Sequence, residues 1–83
     1  MMSSEEKREL RSTVWNNASL SRVKGMMEAF LEGKSNCTPK WIHGQITKAH
    51  NLDEARIVLA AFGDELMNIN QQKFAELRNI LAI

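Results

Sequence analysis

The chain has one cysteine and no long hydrophobic run, and each shortage excludes a class of protein. A lone Cys37 cannot form an intramolecular disulfide, which favours a reducing compartment. No apolar stretch approaches the roughly 20 residues that a bilayer-spanning helix needs. The first residues, Met-Met-Ser-Ser-Glu-Glu-Lys-Arg-Glu, carry charge where a secretory signal peptide is apolar. We therefore expect a cytoplasmic protein.

What the chain does contain is an ordinary globular composition, with 43% apolar and 25% charged residues. These fractions exclude a disordered tail and a low-complexity or collagen-like sequence. Its 83 residues predict a single domain, 1–83, near the lower size limit at which a chain buries its own core. A domain of this size can also complete its core by oligomerisation.

Helix start and stop signals recur along the chain, whereas the period-two alternation typical of a half-buried strand is missing. Ser3 with Glu6 forms a capping-box pattern, and Gly33 suits the position that ends a helix. Thr38 followed by Pro39 is the strongest start signal, because proline at the first helical position loses no hydrogen bond. Further capping signals are Asn17 or Ser19, Asn51 with Glu54, and Asn70.

Apolar residues at three- and four-residue steps complete the helical pattern. The pattern is clearest over 52–69, where a near-heptad stripe runs unchanged through Gly63, and we predict one helix there rather than two. The sequence thus predicts an all-α fold, a compact bundle of four to five short helices with a central apolar helix near 52–69.

The segment 55–62 of that central helix is apolar at seven of its eight positions, and Arg56 is the exception. A helix with no polar side has to be covered on several sides. The cover can come from the rest of the chain, from a second copy or from a partner protein. A homodimer through the 52–69 helix or the C-terminal segment is the simplest assembly, because two-fold pairing is the commonest one.

The sequence contains no catalytic or metal-binding pattern. His43 and His50 lie two helical turns apart, about 10 Å along the axis, which is too far for one zinc ion. Cys37 has no C-x-x-C or H-E-x-x-H pattern beside it. Neighbouring carboxylates point about 100° apart on a helix and do not converge. They are Glu5-Glu6, Asp53-Glu54 and Asp64-Glu65. We expect no enzymatic activity, no catalytic residue, no metal and no cofactor.

Nucleic-acid binding is the alternative function that the sequence leaves open. Residues 1–50 carry eight Lys/Arg against five Asp/Glu, whereas residues 51–83 carry three against five. Basic side chains of the first two helices could contact phosphates while Trp15 stacks on a base. They are Lys7, Arg8, Arg11, Arg22 and Lys24. Neighbouring glutamates dilute this patch, and a helix-turn-helix over 39–62 would offer only Arg56 to base edges.

Protein binding is the function that we favour from the sequence. The chain has more large apolar residues than helices with a single apolar face need. Tryptophan is enriched at interface hot spots, and methionine adapts to irregular surfaces. The candidate partner contacts are Trp15, Met26, Met27, Trp41 and Met67. We expect a non-enzymatic adaptor, regulator or inhibitor that binds a protein partner through a helical apolar surface as a homodimer. The competing interpretation places both tryptophans in the core of the bundle.

Overall fold

The computed structural model describes residues 3–34, 36–49 and 51–82, which form five helices. These are α1 (Ser4–Asn16), α2 (Ala18–Glu32), α3 (Pro39–Lys48), α4 (Leu52–Ile69) and α5 (Gln71–Leu81). No strand occurs within the described ranges, and the bundle measures 34 × 25 × 23 Å. The predicted all-α bundle with a helix over 52–69 is confirmed. Among the described helices, none is both long and apolar enough to cross a membrane.

Side-chain caps fix where most of the helices begin. Ser3 precedes α1 and Thr38 precedes α3, and each accepts a hydrogen bond from the backbone amide three residues later. Of the two candidates for α2, Asn17 rather than Ser19 is the cap. Asn70 caps α5 in the same way. These bonds satisfy amides that have no partner inside the helix, which explains why the local sequence predicted them.

Asn51 departs from the capping box predicted for the start of α4. It occupies the position before the helix, but its side chain accepts no bond from a helix amide. With the side-chain amide oriented to suit its neighbours, its oxygen accepts from Arg22 at 3.0 Å and its nitrogen donates to Glu54 at 3.3 Å. Asn51 therefore connects α4 to α2 instead of capping α4.

Helix α4 lies at the centre of the bundle, and the same chain covers it. Helices α1, α2, α3 and α5 all pack against it. Within 55–62 only Ala60 is exposed. The buried residues of this segment are Ala55, Val58, Leu59, Ala61 and Phe62. The cover that the apolar segment requires thus comes from the rest of the chain, and its buried face is not available to a second copy.

Helix α4 is bent at Phe62, whose φ of −122° and ψ of 17° depart from helical values. Arg11 of α1 lies against the bend. Its Nε donates to the Ala61 carbonyl at 2.9 Å, and its guanidinium carbon lies 5.4 Å from the centroid of the Phe62 ring. A side chain that bonds to a helix carbonyl disturbs the hydrogen-bond ladder and kinks the helix. The predicted helix thus has its expected extent, with a bend beside Gly63 that the apolar stripe does not reveal.

Arg56, the polar exception in the apolar segment, joins the start of α4 to the end of α5. Its Nε donates to the Leu81 carbonyl at 3.2 Å, and its Nη1 lies 3.3 Å from a carboxylate oxygen of Asp53. A cation bonded to a carbonyl at a helix C-terminus is favoured by the helix dipole. Arg56 is therefore a tertiary cap of α5.

Candidate functional site

Four large apolar side chains are exposed on the described surface of the bundle and are candidates for a binding site. In the described part of the chain they are Trp15 (65% exposed), Trp41 (45%), Ile69 (38%) and Met67 (37%). The interpretation that both tryptophans lie in the core is therefore wrong. Single exposed apolar residues are common on soluble domains, so the surroundings of each one decide its significance.

Trp15 lies near the end of α1, where α1, α2 and α4 meet. Its ring meets the Phe62 ring edge-on, with 6.4 Å between centroids and an interplanar angle of 84°. Lys24 Nζ lies over the Trp15 ring at 4.3 Å and pairs with Glu28 at 3.0 Å. Only 14% of the Lys24 side chain is exposed. Trp15 is thus held from two sides while most of its surface faces solvent.

A groove of about 250 Å³ opens between α1, α4 and α5. The buried ring of Phe74 and the small residues Ala60 and Gly63 line it, with Met67 beside them. We call this the α1–α4–α5 groove. Its charged lining residues are Lys7, Asp64 and Arg78, and Lys7 pairs with Asp64 at 3.3 Å. The groove therefore combines an apolar lining with charged edges.

A second depression, of about 500 Å³, lies between the start of α3 and α5. It is lined by Thr38, Pro39, Lys40, Glu76, Asn79 and Ile80. Its two charged residues have opposite signs, so the lining favours neither an anionic nor a cationic ligand.

The structure separates the partner contacts that the sequence predicted. Trp15 and Trp41 are exposed on different helices, and Met67 lines the α1–α4–α5 groove. Met26 is half-buried and packs against the core. Met27 has no exposed surface, so its assignment to a partner-binding surface is corrected. It fills the core and cannot reach a partner while the chain is folded.

The basic residues predicted to contact nucleic acid are largely engaged within the chain. Intramolecular ion pairs join Lys7 to Asp64, Arg11 to Glu65 and Lys24 to Glu28. Arg22 bonds to Asn51, and Arg8 is exposed. Because paired cations attract a phosphate backbone less than isolated ones do, these residues form a mixed-charge surface rather than a concentrated basic patch.

The described residues contain no cluster of three or more His, Cys, Asp or Glu that could hold a metal ion. His43 is half-buried and Cys37 packs against the core, whereas His50 lies outside the described residues. At the exposed end of α2, a hydrogen bond to Glu32 at 2.7 Å raises the pKa of Lys34. A raised pKa keeps the amine protonated, which is the opposite of what a lysine general base needs.

Sequence reasoning missed the α1–α4–α5 groove. Ala60, Gly63 and Met67 recur at three- and four-residue steps, so small residues on one side of α4 were a signal that could have indicated a shallow surface. The flanking cations Lys7 and Arg78 come from opposite ends of the chain, and nothing in the sequence indicates that they meet.

Comparisons with protein-family models, with curated proteins and with solved structures gave no match.

Proposed function

We propose that this chain is a non-enzymatic protein-interaction module of the cytoplasm, an adaptor, regulator or inhibitor that binds through exposed apolar side chains on a helical scaffold. The observation that carries the proposal is Trp15, which is 65% exposed although Phe62 and Lys24 hold it from two sides. A tryptophan that is already held loses little side-chain entropy on binding and buries a large apolar area.

The proposed mechanism is occlusion or scaffolding, with no turnover by the chain itself. A partner pocket would take the exposed part of the Trp15 ring. Lys24 lies over that ring and is balanced by Glu28, so the partner meets no isolated buried charge beside the anchor. An anchor of this kind can supply a large part of the binding free energy, because a few residues dominate most interfaces.

A second copy of the chain is the simplest partner for such a surface, because two-fold pairing places the same patch of both copies in contact. The apolar face of α4 does not supply this contact, since one copy already covers it. We therefore place the proposed dimer contact at Trp15 and not at the 52–69 helix.

The substitution Trp15→Ala tests the proposal. We expect the wild-type chain to capture a defined protein from a lysate of its source cells or to pair with itself. The variant should bind at least about 30-fold more weakly, because a tryptophan hot spot contributes about 2 kcal/mol or more. Surface plasmon resonance measures the affinity for a captured partner, and sedimentation equilibrium measures self-association.

Ser12→Ala, at an exposed position of the same helix, is the matched control and should bind as the wild type does. Circular dichroism verifies that both variants stay helical. A wild-type chain that neither captures a protein nor self-associates would contradict the proposal. Equal binding by Trp15→Ala and the wild type would contradict the role of Trp15.

A further inference from the structure

We infer that the α1–α4–α5 groove binds an acidic amphipathic helix of a partner protein. This inference rests on the proposed function, because it names the chemistry of one partner that an interaction module would bind. It concerns a surface distinct from Trp15: Met67 lies in the groove, whereas Trp15 contacts Phe62 and Lys24.

The size and lining of the groove suit side chains of a partner protein better than a whole small molecule. Its volume of about 250 Å³ lies below the ~300–1,000 Å³ of typical small-molecule pockets. The apolar part of the lining consists of Leu59, Ala60, Ala61, Gly63, Met67 and Phe74, and of these Ala60 and Met67 are the exposed side chains. An apolar depression between packed helices is a surface on which an amphipathic helix lays its apolar face, and a flexible methionine at the edge adapts to the anchors.

The charges around the groove select an acidic ligand. Lys7 and Arg78 line it, and an adjoining depression that shares Lys7 and Asp64 adds Arg8 and Arg11. Lys7 is paired with Asp64 and Arg11 with Glu65, so Arg78 in the groove and Arg8 in the adjoining depression supply an excess of two positive charges. Positive edges favour a helix that carries Glu or Asp beside its apolar face.

The apolar lining favours an amphipathic helix over nucleic acid. Cations attract both ligands, but a phosphate backbone gains nothing from contact with Met67 and the alanines. Phe74 is only 7% exposed and so offers no open ring face on which a base could stack. The combination of apolar lining and positive edges is matched by a ligand with an apolar face and acidic flanks.

A labelled synthetic peptide with the full chain tests the inference. The probe has leucines repeating at three- and four-residue steps along one helical face, with glutamate and alanine elsewhere. One matched peptide has the same composition with the leucines dispersed, and another has lysine in place of each glutamate. By fluorescence anisotropy we expect the first peptide to bind at least about tenfold more tightly than either control, and its affinity to fall with salt.

Two alanine positions provide matched variants of the protein. Ala60→Gln places a longer neutral side chain in the groove at an exposed helical position, and we expect at least about tenfold weaker peptide binding. Ala75→Gln, exposed on α5 outside the lining, should bind the peptide as the wild type does. Arg78→Gln should weaken binding and reduce its salt dependence, because it removes a cation from the edge.

Several outcomes would overturn the inference: no binding of the acidic amphipathic peptide, equal binding of all three peptides, or binding that Ala60→Gln leaves unchanged. Displacement of the peptide by a single-stranded oligonucleotide of equal charge at equal concentration would assign the cations to nucleic acid and reject the helix. The proposed function and the groove inference can be rejected independently of each other. A captured partner lost with Trp15→Ala but retained with Ala60→Gln would leave the proposed function standing and reject the groove as that partner's site.

Discussion

Gly25 and Gly33 both have open space where a side chain would lie, but their backbone conformations differ. Gly25 lies inside α2, and Gly33 ends the same helix in the left-handed region with a φ of 73°. A Cβ atom added at either position would meet nothing within 4 Å. Because neither site is crowded, backbone conformation alone decides the effect of a side chain at these two positions.

The same substitution should therefore have opposite effects at the two glycines. Gly25→Ala should stabilise the chain by about 0.5–1 kcal/mol, because alanine is the better helix former and restricts the unfolded chain. Gly33→Ala should lower the free energy of unfolding by about 1–2 kcal/mol, because an alanine strains the left-handed conformation. Urea denaturation followed by circular dichroism measures both changes. Changes of the same sign would contradict the left-handed end of α2.

At the residue scale, Met27 is buried although the sequence analysis predicted it to be a partner contact. It follows Leu20 and Val23 in the three- and four-residue steps of α2, and all three are buried. The pattern therefore indicated a core position, and the surface assignment followed residue type instead of spacing. For Trp15 the spacing was less informative, because its exposure depends on how α2 and α4 approach α1.

At the scale of the helices, arginines from one element fix the ends and bends of another. Arg22 of α2 bonds to the residue that precedes α4, Arg11 of α1 bonds beside the bend of α4, and Arg56 of α4 bonds to the last turn of α5. A guanidinium group suits this role because its donors form a rigid fork and it remains charged at all physiological pH values.

Local sequence could predict the helix limits but not these connections. Ser3, Thr38 and Asn70 each cap an amide three residues away, so both partners lie within one window of sequence. Arg11 and Ala61 are 50 positions apart, and no local pattern joins them. The bend of α4 and the α1–α4–α5 groove depend on how helices meet, which periodicity alone does not specify.

The contact between α4 and the end of α5 should respond to Arg56→Ala. Loss of the bond to the Leu81 carbonyl should lower the free energy of unfolding by about 1–2 kcal/mol, because a charged donor to a helix C-terminus is lost. Hydrogen exchange should accelerate most in the last turn of α5.

Asp53→Ala is the control for that experiment. It keeps Arg56 in place and removes only a carboxylate that is 93% exposed, so we expect a change within about 0.5 kcal/mol. Uniformly faster exchange in all helices of Arg56→Ala, without a larger effect at α5, would argue against the tertiary cap.

At the scale of the whole molecule, the chain hides its most apolar helix and exposes single large side chains. The core formed around α4 includes residues from all five helices. We therefore expect folding not to depend on the proposed dimer, since the exposed residues contribute little to the core. Association and folding should be separable events.

A dilution series tests this separation. Light scattering should fall to the 9.5 kDa of one chain at low concentration, while the ellipticity per residue stays constant. Trp15→Ala should reach the monomer mass at higher concentration with the same ellipticity. Helix content that declines together with mass would show that a second copy completes the core.

The bond between Arg11 and the Ala61 carbonyl also bears on how the chain is synthesised. Helix α1 leaves the ribosome before α4 exists, so Val14 and Arg11 have no α4 to pack against until much of the chain has been translated. During that interval the apolar sides of α1 and α2 can pack only on each other and, for α2, on α3. Because the α1 residues that pack against α4 lack that cover until α4 is made, we expect the nascent first half to be more open to aggregation than the folded chain.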